Sequence, residues 1–218
     1  MKPQPVTGVI FDVFGTLLSI EKPTQPYLRL LNLGASQGRR RSATDLRQLM
    51  TNPLTLSGAA NLFGIEITDA QMQILDDLLT EELASIKAFP DALDAVSALD
   101  NAKVLVGVCS NLALPYGAAI MHLFPQIECH ALSFEHGIMK PDPLLYQIAC
   151  RQLGIAPGNY FAGDDGRVVM IGNSRKCDRD GPRLAGITGF HLDRSGKGGI
   201  DNLAQFAQSI VESNSHSA

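Results

Sequence analysis

The sequence predicts an α/β protein, a doubly wound parallel sheet with an all-helical segment inserted after its first strand. Three observations carry this. Short apolar runs recur at residues 8–11, 103–109, 131–134, 168–171 and 189–192, with helical patterns between them. A stretch from about residue 19 to 89 carries helical spacing and no convincing strand. The first apolar run, Val9-Ile10-Phe11, ends in Asp12 and a Gly15-Thr16 turn, and ligands in open α/β sheets bind beyond the carboxyl ends of the strands.

The elements follow in order. Val9-Ile10-Phe11 reads as a strand buried on both faces, and a carboxylate at its tip is costly unless paired or held by a cation. Asp12 is therefore read as chemical rather than structural. The helical stretch shows Leu28 and Leu31, then Leu46, Leu49 and Met50, then Leu62 and Phe63, then Met72, Leu75, Leu78, Leu79 and Leu83. Gly34, Gly38, Asn52-Pro53 and Gly58 divide it into several helices, with Ser57 and Thr68 as candidate N-caps. The expected domains are a catalytic core of residues 1–18 and 90–218 and a helical cap of residues 19–89, placed over the crevice as a lid. After Ala88-Phe89-Pro90, the set Ala92, Leu93, Val96, Leu99 predicts a core helix, as does Leu144, Leu145, Ile148, Ala149, Leu153. Crossovers between the parallel strands should be right-handed.

Composition narrows the function. The chain has 218 residues, 45% hydrophobic and 18% charged, within the range of one medium domain carrying a smaller one. A net charge of -4 gives no electrostatic case for nucleic acid. The basic run Arg39-Arg40-Arg41, with Arg47, reads as a solvated face. No segment has the length of a membrane span, and residues 1–5 lack an export-type apolar stretch. Cys109, Cys129, Cys150 and Cys177 form no Cys-x-x-Cys pair, so free thiols and a cytoplasmic location are expected, with Cys109 as packed core. The polar tail, residues 212–218, should fray.

Four polar signals fall at the C-terminal ends of candidate strands or at the opening of a helix. They are Asp12; Ser110-Asn111; Lys140-Pro141-Asp142; and Gly172-Asn173-Ser174 with Asp178. Each alone is a common turn or cap, but the set in this order points to one crevice. Asp142 is read as a helix-start residue. Gly163-Asp164-Asp165-Gly166 is read as a hairpin or loop. His122, His130, His136 and His191 have no metal-ligand spacing, and only His136 is a candidate for the mouth of the crevice.

With these residues the sequence resembles the haloacid dehalogenase-like hydrolase superfamily, Rossmann-like enzymes, in the branch with a helical cap after the first strand. The block Gly172-Asn173-Ser174 through Asp178 to Gly186-Ile187 resembles that family's last motif and its following helix. The resemblance implies that Asp12 is a nucleophile forming a covalent aspartyl intermediate on a small anionic substrate. It implies catalytic roles for Ser110, Asn111 and Lys140, and substrate contacts from Thr16, Ser110, Asn111 and Lys140. It implies a magnesium ion held by Asp12, the Phe14 backbone carbonyl, Asn173 and Asp178.

Two residues depart from the pattern. The family's phosphatases carry a second Asp two residues after the nucleophile as general acid and base, a role worth roughly 10²–10⁴-fold. Here that residue is Phe14. Asn173 stands where many members have Asp, which weakens but does not abolish metal binding. Phosphatase-like hydrolysis with magnesium is the leading expectation. The alternatives are 2-haloacid dehalogenase-type displacement, to which an aromatic at position 14 is similar, and a binding protein that keeps the fold without the reaction. A dehalogenase needs an anion-binding Arg, with Arg29, Arg39, Arg40, Arg41 and Arg47 as candidates, and its pocket is commonly aromatic-rich, whereas this chain has no Trp.

Overall fold

The computed structural model describes residues 4–156 and 167–216. The Gly163-Asp164-Asp165-Gly166 turn lies outside the described residues. Five parallel strands form the central sheet: β1 (Val6–Phe11), β4 (Leu105–Ser110), β5 (Cys129–Leu132), β6 (Arg167–Gly172) and β7 (Thr188–His191), in the spatial order β5-β4-β1-β6-β7. The chain builds one half outward from β1, then returns to β1's other side for β6 and β7. The loops after β1 and β6 thus leave in opposite directions, and the crevice between them is the topological switch point.

Both faces of the sheet are covered, as the unbroken apolar runs require. Val9, Phe11, Val108, Val169 and Ile171 face a core shared with helices α5 (Pro90–Asn101), α6 (Gly117–Leu123) and α9 (Leu203–Ser215). Ile10, Cys109, Val168 and Met170, the alternate residues, face helix α8 (Pro143–Gln152). Cys109 is fully buried in that second layer, and burial pushes its thiol up to about 12, so it is inert packing. All four cysteines are free.

Between β1 and α5 lie four helices: α1 (Pro26–Ser36), α2 (Asp45–Thr51), α3 (Leu56–Phe63) and α4 (Asp69–Ala84). They share a core of their own around Leu30, Leu49, Leu56, Ala59, Phe63 and Leu75. The strand-free expectation for this stretch is corrected at both ends. β2 (Leu18–Ile20) and β3 (Ile86–Ala88) pair antiparallel, with Leu18 opposite Ala88 and Ile20 opposite Ile86. At three residues each, they are too short to show a period of two.

Three further expectations shift. Ser133 and Phe134 leave β5 for a single helical turn, α7 (Ser133–His136), closed by Gly137 in the left-handed region. Thr55 rather than Ser57 caps α3, accepting from the Gly58 N–H. The segment after β6 is a π-helical turn (Arg175–Asp180) and a 3-10 turn (Gly181–Ala185) rather than a regular helix.

Thr68 caps α4 as read from sequence, in a reciprocal capping box. Its hydroxyl accepts from the Gln71 N–H at 3.3 Å, and Gln71 Oε1 accepts from the Thr68 N–H at 3.0 Å. Thr68→Ala is expected to lower stability by about 1 kcal/mol, read as a shift of the urea midpoint without a change in slope.

Candidate active site

Asp12 follows the last residue of β1, and its N–H donates to the Ile171 carbonyl of β6. Its carboxylate therefore points out of the sheet at the switch point. Asp12 Oδ1 accepts from Ser110 Oγ at 2.9 Å and from Lys140 Nζ at 2.8 Å. Ser110 is the last residue of β4, and Lys140 precedes α8. Lys140 Nζ also donates to Asp178 Oδ1 at 2.7 Å. Three residues far apart in sequence thus meet Asp12 directly or through one ammonium.

The loops that carry them are tied together. Asn111 Nδ2 donates to the Lys140 carbonyl at 3.0 Å and Asn111 Oδ1 accepts from the Lys140 N–H at 2.7 Å. Asp178 Oδ2 accepts from the Ser174 N–H at 2.8 Å, and the Asp178 N–H donates back to the Ser174 carbonyl at 2.7 Å. Tyr146 donates its hydroxyl to the Cys177 carbonyl at 2.6 Å, pinning the π-helical turn to α8. Asp142, as expected, caps α8 by accepting from the Leu144 N–H.

Two glycines make the convergence possible. A Cβ at Gly172 would overlap the Asp178 carboxylate and lie 2.6 Å from the Asp12 Cβ, so only a bare backbone lets the two acids approach. Gly15 has φ +78° and backs directly on the Asn173 amide, where a Cβ would overlap it.

Lys140, Asp12 and Asp178 are all buried. Burial alone would lower the Lys140 pKa, but Asp12 and Asp178 on either side hold it above the usual lysine value. The site therefore keeps its ammonium at any physiological pH. Burial is also the largest influence on Asp178 and raises it above the usual carboxylate range; Lys140 pulls it back only in part. Counted formally, two carboxylates and one ammonium give the cleft one negative charge.

The remaining expected residues divide. Thr16 does not line the cleft: it is fully buried, donates to Asp12 Oδ2 at 3.4 Å and accepts from the Asn173 N–H at 3.2 Å. Its hydroxyl ties the Asp12 carboxylate to the backbone of the β6 loop. Asn173 and Phe14 both line the cleft, a cavity of about 200 Å³. Phe14 packs edge-on against Tyr116, ring centroids 5.8 Å apart. His136 lines neither the cleft nor the neighbouring chamber.

Sequence reasoning missed two residues. Arg194 donates to the Thr16 carbonyl at 2.7 Å, pairs with Asp91 at 3.0 Å and stacks on Phe89 at 3.9 Å. It clasps both backbone segments that lead to and from the helices. His191 Nε2 donates to the Asn173 carbonyl at 3.1 Å. His191 ends β7 and Arg194 follows it in the next loop, and only β7's position beside β6 brings them in.

Comparison with known proteins identifies the family. The family model described as haloacid dehalogenase-like hydrolase matches residues 6–186. The chain belongs to that family. It is 26% identical over 213 residues to an (S)-2-haloacid dehalogenase of a Pseudomonas species, covering 88% of this chain and 87% of that one. It is 35% identical over 78 residues to a phosphoserine phosphatase of Thermus thermophilus, a match that spans 36% of this chain and only 27% of that protein's length. Its fold is similar to that of a phosphatase of the same family from Thermococcus onnurineus, with a TM-score of 0.66 at 19% identity, covering 94% of this chain and 97% of that one. The chain is therefore a hydrolase of a family that contains both phosphatases and dehalogenases.

Lys140→Met leaves two buried carboxylates without their cation and is expected to cost about 3–5 kcal/mol. Asp178, which burial already raises above the usual carboxylate range, then loses the ammonium that pulls it back. Stability is regained as pH falls through its folded value and protonation removes the uncompensated charge. Urea unfolding at pH 8 and pH 5 should show the deficit shrinking at the lower pH.

Proposed function

We propose that this hydrolase is a magnesium-dependent phosphatase that works through a covalent aspartyl intermediate at Asp12, on substrates whose leaving group departs without a proton. The observation that carries the reading is the convergence of Ser110 and Lys140 on Asp12 Oδ1, with Phe14, a side chain that has no proton to give, lining the cleft beside it.

The donor set fits a hard cation. Asp12, the Phe14 carbonyl and the Asn173 amide lie around the β1 loop and offer oxygen ligands, and magnesium keeps several waters besides. Asp178 Oδ1 and Oδ2 are already engaged by Lys140 and Ser174, so Asp178 serves the ion at most through its remaining lone pairs. The net negative cleft also calls for a further cation before a phosphoryl group can enter. When bound, the ion supplies charge neutralisation on the phosphoryl oxygens.

The protein's own residues do the rest. The two bonds to Oδ1 fix the carboxylate, leaving Oδ2, with only a long bond from Thr16, as the attacking oxygen. Oδ2 bonds to phosphorus, and the bond to the leaving oxygen breaks with its electron pair on that oxygen. Lys140 offsets charge in a dry site, where its ammonium counts for more than in water. Water then attacks phosphorus, releasing phosphate and the free carboxylate. Phe14 cannot protonate a leaving alkoxide, so only acidic leaving groups turn over well. Helices α1–α4 act as the cap over this cleft.

The dehalogenase reading needs a cation for the substrate carboxylate. Arg29 donates to the Thr24 carbonyl, Arg39 is paired in two hydrogen bonds with Asp45 and lies over Phe63, and Arg40, Arg41 and Arg47 are exposed. The solvated reading of the basic run thus fails for Arg39 alone. No arginine of the helices lines the cleft or the chamber beside it.

Asp12→Asn should abolish turnover of acetyl phosphate. Hydrolysis in ¹⁸O-water should place the label in phosphate, with none in the Asp12 peptide by mass spectrometry; label in Asp12 would establish carbon chemistry instead. Phe14→Asp should raise turnover of an alkyl phosphate by about 10²-fold, while chelation should silence both proteins.

A further inference from the structure

Beside the catalytic cleft lies a second cavity of about 310 Å³, at the lower end of the size of small-ligand sites. Phe14 and Asn111 line both cavities, so the two are adjacent. Its walls come from the helices and the core together, chiefly Ile20, Leu49, Met50, Leu112, Ala113 and Tyr116. A group leaving Asp12 on the far side of Phe14 would enter it.

No lysine, arginine or histidine lines this chamber. Its one charged residue is Glu82, buried on α4. Glu82 Oε1 accepts from the Tyr116 hydroxyl at 2.6 Å; Glu82 Oε2 accepts from the Gln25 N–H at 2.6 Å and the Thr24 hydroxyl at 3.2 Å. These donors are all neutral, and no cation pairs with the carboxylate. A second anionic group on the substrate would meet an apolar wall and a like charge. The Phe14–Tyr116 edge-to-face pair gives the chamber an aromatic side, the geometry in which a further ring packs.

We infer that the substrate is a phosphate ester of an uncharged apolar leaving group, an aryl phosphate in chemical class, and that phosphate esters bearing a carboxylate are rejected. The inference rests on the phosphatase reading above and adds the identity of the leaving group. Two separate constraints agree on it. Phe14 demands a leaving group that departs as a stable anion, as a phenolate does, and the chamber demands one that is apolar and neutral.

The test is kcat/KM of the full chain with magnesium on acetyl phosphate, phenyl phosphate, 2-naphthyl phosphate and 4-carboxyphenyl phosphate. The last is close to phenyl phosphate in shape and leaves at least as readily, but carries the extra charge. Phenyl and 2-naphthyl phosphate should exceed 4-carboxyphenyl phosphate by about tenfold or more. Leu46 lines the chamber and is 58% exposed, so Leu46→Arg should be tolerated and should narrow that gap by favouring the carboxylated ester. Turnover of acetyl phosphate with equal rates on phenyl and 4-carboxyphenyl phosphate, unaltered by L46R, would overturn the inference and leave the phosphatase reading standing. No turnover of any of the four, acetyl phosphate included, would overturn both.

Discussion

The Lys140 ammonium between Asp12 and Asp178 is the constraint on which the site depends. Asp12 lies at the end of β1 and Asp178 in the turn after β6, on the two sides of the switch point. Two buried carboxylates at such proximity repel each other and lose hydration; one ammonium at 2.7–2.8 Å from each offsets both costs. The arrangement is stable only if Lys140 arrives from a third direction, the loop before α8. Asn111 fixes that approach by holding the Lys140 backbone from the end of β4. Sheet order, loop anchoring and charge balance are thus one problem with one solution, and the Asp12 carboxylate is positioned as a consequence.

The β1 loop shows how far that positioning extends. Thr16 uses its hydroxyl on Asp12 and Asn173 and its carbonyl on Arg194. Arg194 in turn holds Asp91 and covers Phe89, where the chain re-enters the core after the helices. The Phe89 N–H donates to the Leu17 carbonyl, so outgoing and returning segments are also joined directly. Any movement of the helices about the β2–β3 pair is therefore felt at Thr16, one hydrogen bond from the nucleophile. The coupling is physical contact, residue by residue, and involves a side chain, Arg194, that touches no part of the cleft.

Much of this was legible in the sequence, for identifiable reasons. Parallel strands buried on both faces leave unbroken apolar runs, and β1, β4 and β6 were readable for that cause. Asp12 and Ser110 stood out because a polar residue at the end of such a run has no packing role, and Lys140 because it falls in the same order along the chain, just before a helix. Asp142 and Thr68 were readable because cap chemistry is local. What failed was non-local or brief. β2 and β3 exist only as each other's partner, across the length of the helical segment. Thr16 looked like a substrate ligand because its neighbours in sequence are catalytic, whereas its burial is decided by Asn173 and Arg194, far along the chain. The mates of Arg39 and Glu82 were likewise invisible, since neither lies at a helical or strand spacing from a sequence signal.

Family membership and substrate choice are carried by different parts of the molecule. Residues 6–186 match a family whose similar members include one named a phosphatase and one named a haloacid dehalogenase, so similarity along the chain separates neither chemistry. On the proposed phosphatase reading, the electrostatics of the two cavities would separate them. The cleft carries a net negative charge that only an added cation reverses, and the chamber beyond Phe14 offers a small anion such as a halo acid no cation at all. A substrate that brings one strongly charged end and one neutral end meets both conditions, with the charged end at Lys140 and Ser110 and the neutral end against Tyr116. The same reasoning gives Phe14 a purpose beyond the loss of an acid. An ionised Asp at that place would set a charge at the doorway of an apolar chamber, raising the cost of filling it with a ring. Exchanging proton transfer for an apolar passage is a coherent trade only when the leaving group needs no proton, which is the property an aromatic leaving group supplies.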